Sequence, residues 1–145
     1  MKHLLGLLAA GLLLSASASA QKMKAAQVPA VVMASFNRQF PQAKEVKWEK
    51  EADQYEAGFE QGKQELSVLL DPSGKLVETE TEIKVDQLPA AVRATLARQY
   101  KGVKIKEAAK IVAAGTGAVT YEAEIVQGGK NVDLLFDAEG REVKK

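Results

Sequence analysis

The chain has 145 residues, with 20 Lys and Arg against 19 Asp and Glu, no cysteine, and one histidine at position 3. That balance leaves no basic excess to hold a nucleic-acid backbone. It also excludes disulfides, thiol nucleophiles, and zinc, haem or triad chemistry that depends on Cys or on a histidine in the body of the chain.

Residues 1–20 have the three parts of a secretory leader. Lys2 supplies the positive start, Leu4 to Leu14 is an apolar run, and Ala18-Ser19-Ala20 gives the small residues that a signal peptidase reads. The apolar run is too short to span a bilayer as a helix, which takes about 20 residues. Cleavage is expected near Ala20/Gln21, with the product in the periplasm or secreted. No cysteine is present at that point to carry a lipid, so a soluble product without a stable membrane anchor is expected. The leader takes His3 and Lys2 with it. The remaining 125 residues then carry 19 basic and 19 acidic side chains, enough chain for one domain that buries about two thirds of its unfolded surface.

Gln21 to Gln27 reads as a frayed start. A helix follows, with Pro29 in its first turn, where a missing N–H costs nothing. Val28, Val31, Val32, Ser35, Phe36 and Gln39 fall on one stripe at helical spacing. Four strands of alternating pattern come next. Val46 and Trp48 alternate with Glu45, Lys47 and Glu49. Tyr55, Ala57 and Phe59 alternate with Glu56 and Glu60. Leu66, Val68 and Leu70 alternate with Glu65 and Ser67. Val77, Thr79, Thr81 and Ile83 alternate with Glu78, Glu80 and Glu82. Gln61-Gly62-Lys63 and Asp71-Pro72-Ser73-Gly74 are turn sequences.

The second half repeats the first. Val28-Pro29-Ala30 returns as Leu88-Pro89-Ala90, Arg38-Gln39 as Arg98-Gln99, and Phe40 as Tyr100, all 60 positions later. Tyr55-Glu56-Ala57 returns as Tyr121-Glu122-Ala123, and Asp71 with Gly74 as Asp137 with Gly140, 66 positions later. The extra residues fit a longer hairpin loop around Gly115-Thr116-Gly117. Leu88, Val92, Leu96 and Tyr100 form the second helical stripe. Val119, Tyr121, Ala123 and Ile125 form one inward strand row, and Val132, Leu134 and Phe136 another. The expected architecture is α+β: a tandem α-β4 repeat with two helices on one face of an antiparallel sheet of about eight strands. The other face is left to water, as antiparallel sheets allow. Repeat one runs over about 28–84 and repeat two over about 88–145, within a single domain 21–145.

These residues carry a resemblance. Val28-Pro29-Ala30, Phe36, Phe40-Pro41, Val46, Trp48, Tyr55, Ala57, Phe59, Asp71 and Gly74, with the restart Leu88-Pro89 and Val92, are similar to the PepSY-like, β-lactamase-inhibitor-like family of bacterial exported proteins. The resemblance implies a periplasmic domain of helices packed on an antiparallel sheet, with relatives that bind proteins or peptides rather than catalyse. It brings no catalytic residues and no cofactor. The second half departs from the pattern: Lys101-Gly102 stands where Pro41 would lead, and Lys106 or a neighbour stands near the Trp48 position.

The polar face of the sheet is the candidate partner-binding surface. Glu56, Glu60, Glu78, Glu80 and Glu82 are expected on it from the first half, with Glu65 beside them. Glu122, Glu124 and Asp133 come from the second half, and Lys47, Lys104 and Lys106 interleave. Trp48 is the candidate anchor if it lies near the sheet edge, although its strand row reads as core. The plain reading of this face is a solvated surface that keeps the sheet soluble. The functional reading is an acidic docking surface for a basic protein or peptide. Two alternatives use the same carboxylates. A small-ligand or cation carrier would have to overcome the spacing of Glu78, Glu80 and Glu82, about 7 Å apart along one strand. A carboxylate-dependent hydrolase would need one acid buried and raised in pKa.

Overall fold

The computed structural model describes residues 21–144; the expected leader lies outside them. Nine strands form one sheet: β1 Gln21–Met23, β2 Lys44–Glu51, β3 Gln54–Gln61, β4 Gln64–Leu70, β5 Leu76–Ile83, β6 Ile105–Ala113, β7 Val119–Gln127, β8 Lys130–Phe136 and β9 Glu142–Val143. They neighbour one another in sequence order, and every pairing is antiparallel. Helix α1 Ala30–Gln39 stands between β1 and β2, and α2 Ala90–Gln99 between β5 and β6. The repeat and the two helices thus follow the sequence pattern.

The ninth strand is the start of the chain. Gln21–Met23 pairs with β2, so it is not frayed. Met23 lies opposite Trp48 as Ile83 lies opposite Ala108, 60 positions on. β1 is therefore the first half's short version of the end of β5, and Met23 packs against the first core. A 3₁₀ turn follows each: Ala25–Gln27 and Val85–Gln87, with Lys24 N–H donating to Gln27 Oε1 at 2.9 Å and Lys84 N–H to Gln87 Oε1 at 2.8 Å.

The prolines stand one residue earlier than expected. Pro29 and Pro89 keep extended backbone angles and precede their helices. The carbonyl of each still accepts the first helical bond, from the N–H of Met33 and of Arg93. α1 ends at Phe40 and α2 at the equivalent Tyr100, both at non-helical angles; Pro41 reinforces the first stop, and the second occurs without a proline.

Each helix covers its own core. Val32 and Phe36 of α1 meet Trp48, Ala57, Phe59, Val68 and Leu70; Val92 and Leu96 of α2 meet Ala108, Ala123, Ile125, Leu134 and Phe136. Val31 lies outside the stripe assigned to it and is 52% exposed. The first core is aromatic. Phe36 packs edge-on to Trp48 and Phe59 at centroid distances of 5.1 and 5.2 Å, and Phe40 lies 5.1 Å from Phe59. Such pairs add to area burial. The middle of β5 runs between the two cores, so Thr79 and Thr81 are only half-buried. Among the described residues no helix is long and apolar enough to cross a membrane.

The two helices are tied to the sheet at matching turns. Gly74 has φ +83°, and a Cβ there would meet the Val31 carbonyl oxygen at 2.8 Å; Gly140 has φ +79° and lies against the Ala91 carbonyl and Thr95. Only glycine fits both the left-handed angle and the close approach.

Candidate functional site on the open face of the sheet

Side chains alternate between the two faces of a strand, so the pairing register decides which carboxylates meet. Glu60 stands opposite Glu65 across β3 and β4. Glu56 faces Leu69, which faces Glu78; Ser67 faces Glu80. Across β5 and β6, Glu78 faces Ala113, Glu80 faces Ile111 and Glu82 faces Ala109. In the second half Glu107 faces Glu124, Glu124 faces Asp133, and Glu122 faces Ala109 and Leu135. All of these lie on the face away from the helices.

Glu56, Glu60, Glu78, Glu80, Glu82, Glu122 and Glu124 thus share one surface. Trp48 does not. It faces the helices, is 4% exposed and packs on Phe36. The correction follows from parity: Lys47 and Glu49 point to the open face, so Trp48 between them must point to the core. Sequence reasoning also left out members of this face. Glu49 (opposite Glu56) and Glu107 belong to it, as do Ala109 and Ile111, both buried on its floor. Residues 108–112 break the alternation with the run Ala-Ala-Lys-Ile-Val. That break was the available signal for an apolar patch on a polar face.

The open face is concave. Glu56 on β3 and Asp133 on β8 stand five strand spacings apart, about 24 Å in a flat sheet, yet both line one depression of about 210 Å³. The rolled sheet brings the acidic rows of the two halves toward each other. A second depression collects Glu80, Glu82, Glu107, Glu122 and Glu124.

Lys22, opposite Glu49, and Lys47, opposite Gly58, share this face with Lys106. Lys106 Nζ approaches Glu124 Oε1 at 3.2 Å, off the direction of a hydrogen bond. Directly opposed like charges on neighbouring strands destabilise a sheet. Glu82 shows the effect: a hydrogen bond with Glu65 holds its carboxyl above its ordinary pKa, with desolvation and the charges of Glu65 and Glu107 adding to it. Among the described residues no group of three or more acidic or His side chains is arranged to hold a metal ion. The chain is close to neutral overall, and other basic side chains lie away from the open face. Arg38, Arg93, Arg98 and Lys110 sit on the helices or on the helix side of the sheet.

A family model described as "Putative beta-lactamase-inhibitor-like, PepSY-like" matches the chain twice, over residues 15–78 and 53–144. No curated protein matches it. Solved structures do. A crystal structure of "putative periplasmic proteins" from Bacteroides eggerthii superposes with a TM-score of 0.70 at 17% identity, covering 81% of this chain and 86% of that one. A DUF2874 family protein from Bacteroides uniformis gives 0.69 at 22% identity, covering 80% and 86%. A BLIP-like protein from Bacteroides fragilis gives 0.61 at 23% identity, covering 79% and 82%. At these identities the likeness is one of fold.

Proposed function

The chain belongs to the PepSY-like, beta-lactamase-inhibitor-like family, and we propose that it is a non-enzymatic binding or inhibitor-like domain that recognises a basic protein or peptide through its concave acidic sheet face. The observation that carries this reading is the direct opposition of Glu60 with Glu65, of Glu107 with Glu124, and of Glu124 with Asp133. A sheet needs only scattered charge to stay soluble. Stacking like charges cross-strand costs stability, and a cationic partner would relieve that cost. The family's inhibitor-like description and the BLIP-like name of the Bacteroides fragilis neighbour support binding rather than chemistry.

The field of such a face steers encounter. Association is fast at low salt and slows as ionic strength approaches about 0.15 M, where the Debye length is about 8 Å. Export by the leader at residues 1–20, with cleavage near Ala20/Gln21, places the domain in the periplasm. The relative from Bacteroides eggerthii, itself called periplasmic, supports that setting.

The test is retention of periplasmic proteins on the immobilised 21–145 chain, compared with a variant carrying Glu78→Lys, Glu80→Lys and Glu82→Lys. The reading requires a specific partner that elutes with salt and is lost from the variant. Equal retention by both chains, or none by either, sinks it.

A further inference from the structure

The two halves cover their sheets unequally. In the first half β5 runs along β4, with Thr81, Glu80 and Thr79 opposite Leu66, Ser67 and Val68. The repeat carries those β4 positions to Val132, Asp133 and Leu134 of β8, 66 residues on. There the covering strand is β9, two residues long, and it stands opposite Leu135 and Phe136 alone. Among the described residues no strand pairs with Lys130–Leu134 on that side. At about 3.4 Å per residue this leaves about 17 Å of edge.

The hairpin decides which backbone groups face outward. Only Gly128 and Gly129 lie between β7 and β8, and Gln127 faces Lys130. A two-residue hairpin closes on a hydrogen-bonded pair, and such pairs then alternate along an antiparallel ladder. Lys130, Val132 and Leu134 thus turn their N–H and C=O groups to β7. Asn131 and Asp133 turn theirs to the uncovered side. In the first half Ser67, the counterpart of Asp133, turns its own to Glu80 of β5.

The other outer strand is guarded. β2 carries β1 over Trp48–Lys50, and toward Lys44 its edge is broken by a register shift between Lys44 and Lys47, with Glu45 at φ +54°. Bulges of this kind terminate pairing. β8 keeps an unbroken register with β7 from Lys130 to Phe136. What it carries is charge. Asp133 stands opposite Glu124 and lines the concave acidic face, whereas Val132 and Leu134 pack in the second core. A strand laid on this edge puts one side chain opposite Asp133 and the two flanking it opposite Val132 and Leu134. The chain's own β5 would bring Glu80 against Asp133, a like-charge pair that a ladder disfavours. A basic residue there offsets the row Glu107, Glu124 and Asp133.

We propose that β8 accepts an added strand from a partner: an extended segment with Lys or Arg opposite Asp133 and an apolar residue on either side of it. Main-chain bonds to Asn131 and Asp133 give affinity, and the alternating side chains give selectivity. The choice of a basic residue rests on the function proposed for the acidic face; the pairing at the edge does not.

The probes are acetyl-Val-Lys-Val-Thr-Ile-amide, its Glu counterpart acetyl-Val-Glu-Val-Thr-Ile-amide, and the lysine peptide N-methylated at its lysine, each titrated into the ¹⁵N-labelled 21–145 chain. The lysine peptide is expected to give saturable shifts centred on Asn131 and Asp133 and to slow exchange of those two amides. The Glu peptide binds about tenfold more weakly. N-methylation removes a ladder donor and abolishes binding. Asp133→Lys, at an exposed position, reverses the preference between the two charged peptides. Binding that survives N-methylation, or shifts centred on Glu78, Glu80 and Glu82 instead, overturn strand addition and leave the acidic face as the docking surface. Equal binding of the two charged peptides, or none by either, also overturns it. Protection of Asn131 and Asp133 that rises with protein concentration, without peptide, gives the edge to a second copy and overturns it as well. Retention of periplasmic proteins, which tests the acidic face, depends on none of these outcomes.

Discussion

Thr95 Oγ1 donates a 2.7 Å hydrogen bond to the carbonyl of Gly140, 45 residues later, in a buried site. It fastens α2 to the turn between β8 and β9. Ser35 and Gly74 hold the same places in the first half, where the Ser35 hydroxyl instead meets the Gln39 side chain at 3.0 Å. Thr95→Val should therefore cost about 1–2 kcal/mol, since it leaves a buried carbonyl without its donor. Thr95→Ser should recover most of that. Urea unfolding of the three chains at constant slope measures both.

Gly140→Ala is expected to cost more, above about 2 kcal/mol. It combines a left-handed backbone angle with a methyl group against the Ala91 carbonyl. Gly74→Ala meets the same conditions at the Val31 carbonyl. Because each glycine ties down only its own helix, amide exchange should rise first in α2 for Gly140→Ala and first in α1 for Gly74→Ala.

Trp48 reports on the first core. As the single Trp, buried to 4% exposure, it should fluoresce at short wavelength and shift red only on unfolding. Trp48→Ala should cost about 3–5 kcal/mol. Trp48→Phe should leave partner retention unchanged. A loss of retention with intact stability would restore Trp48 to the binding face.

Glu82 and Asp71 move stability in opposite directions with pH. Glu82 has a folded-state pKa above 4.5, so the native chain binds more protons there than the unfolded one, and stability falls as pH rises through that window. Glu82→Gln keeps a donor toward Glu65, so it should melt higher than the parent at neutral pH and lose this slope. Asp71 is held below 3.8, chiefly by the Ser73 hydroxyl, which donates at 2.6 Å, and by the Ser73 and Lys75 N–H groups at 2.8 and 3.0 Å. Its contribution is complete above 3.8 and lost as pH falls through the depressed value. Asp71→Ala should lower the melting temperature at neutral pH and flatten the acid limb. Melting curves from pH 2 to 8, on the order of one per half unit, separate the two effects.

Much of the fold was legible because its signals are local. Alternation marked the strands, the returning Pro-Ala and Tyr-Glu-Ala segments marked the repeat, and Gly-containing turns marked the hairpins. β1 is not legible in the sequence because Gln21–Met23 has one apolar residue and no alternation to display. It is a strand only because β2 offers an edge and Met23 reaches the core beside Trp48. Spacing alone puts Val31 on the core stripe, yet it is 52% exposed.

That Glu78, Glu80 and Glu82 share one side of a strand follows from spacing alone, because the period of a strand is two. Spacing does not say which carboxylates of different strands oppose one another. That depends on pairing register and on the roll of the sheet, which brings Glu56 of the first half and Asp133 of the second to one concavity. Likewise the loss of rings from the second half is written in the sequence. How that space is filled is decided by packing, which buries Leu96, Ala108 and Ile125 beneath α2, because interiors close-pack around whatever side chains are present.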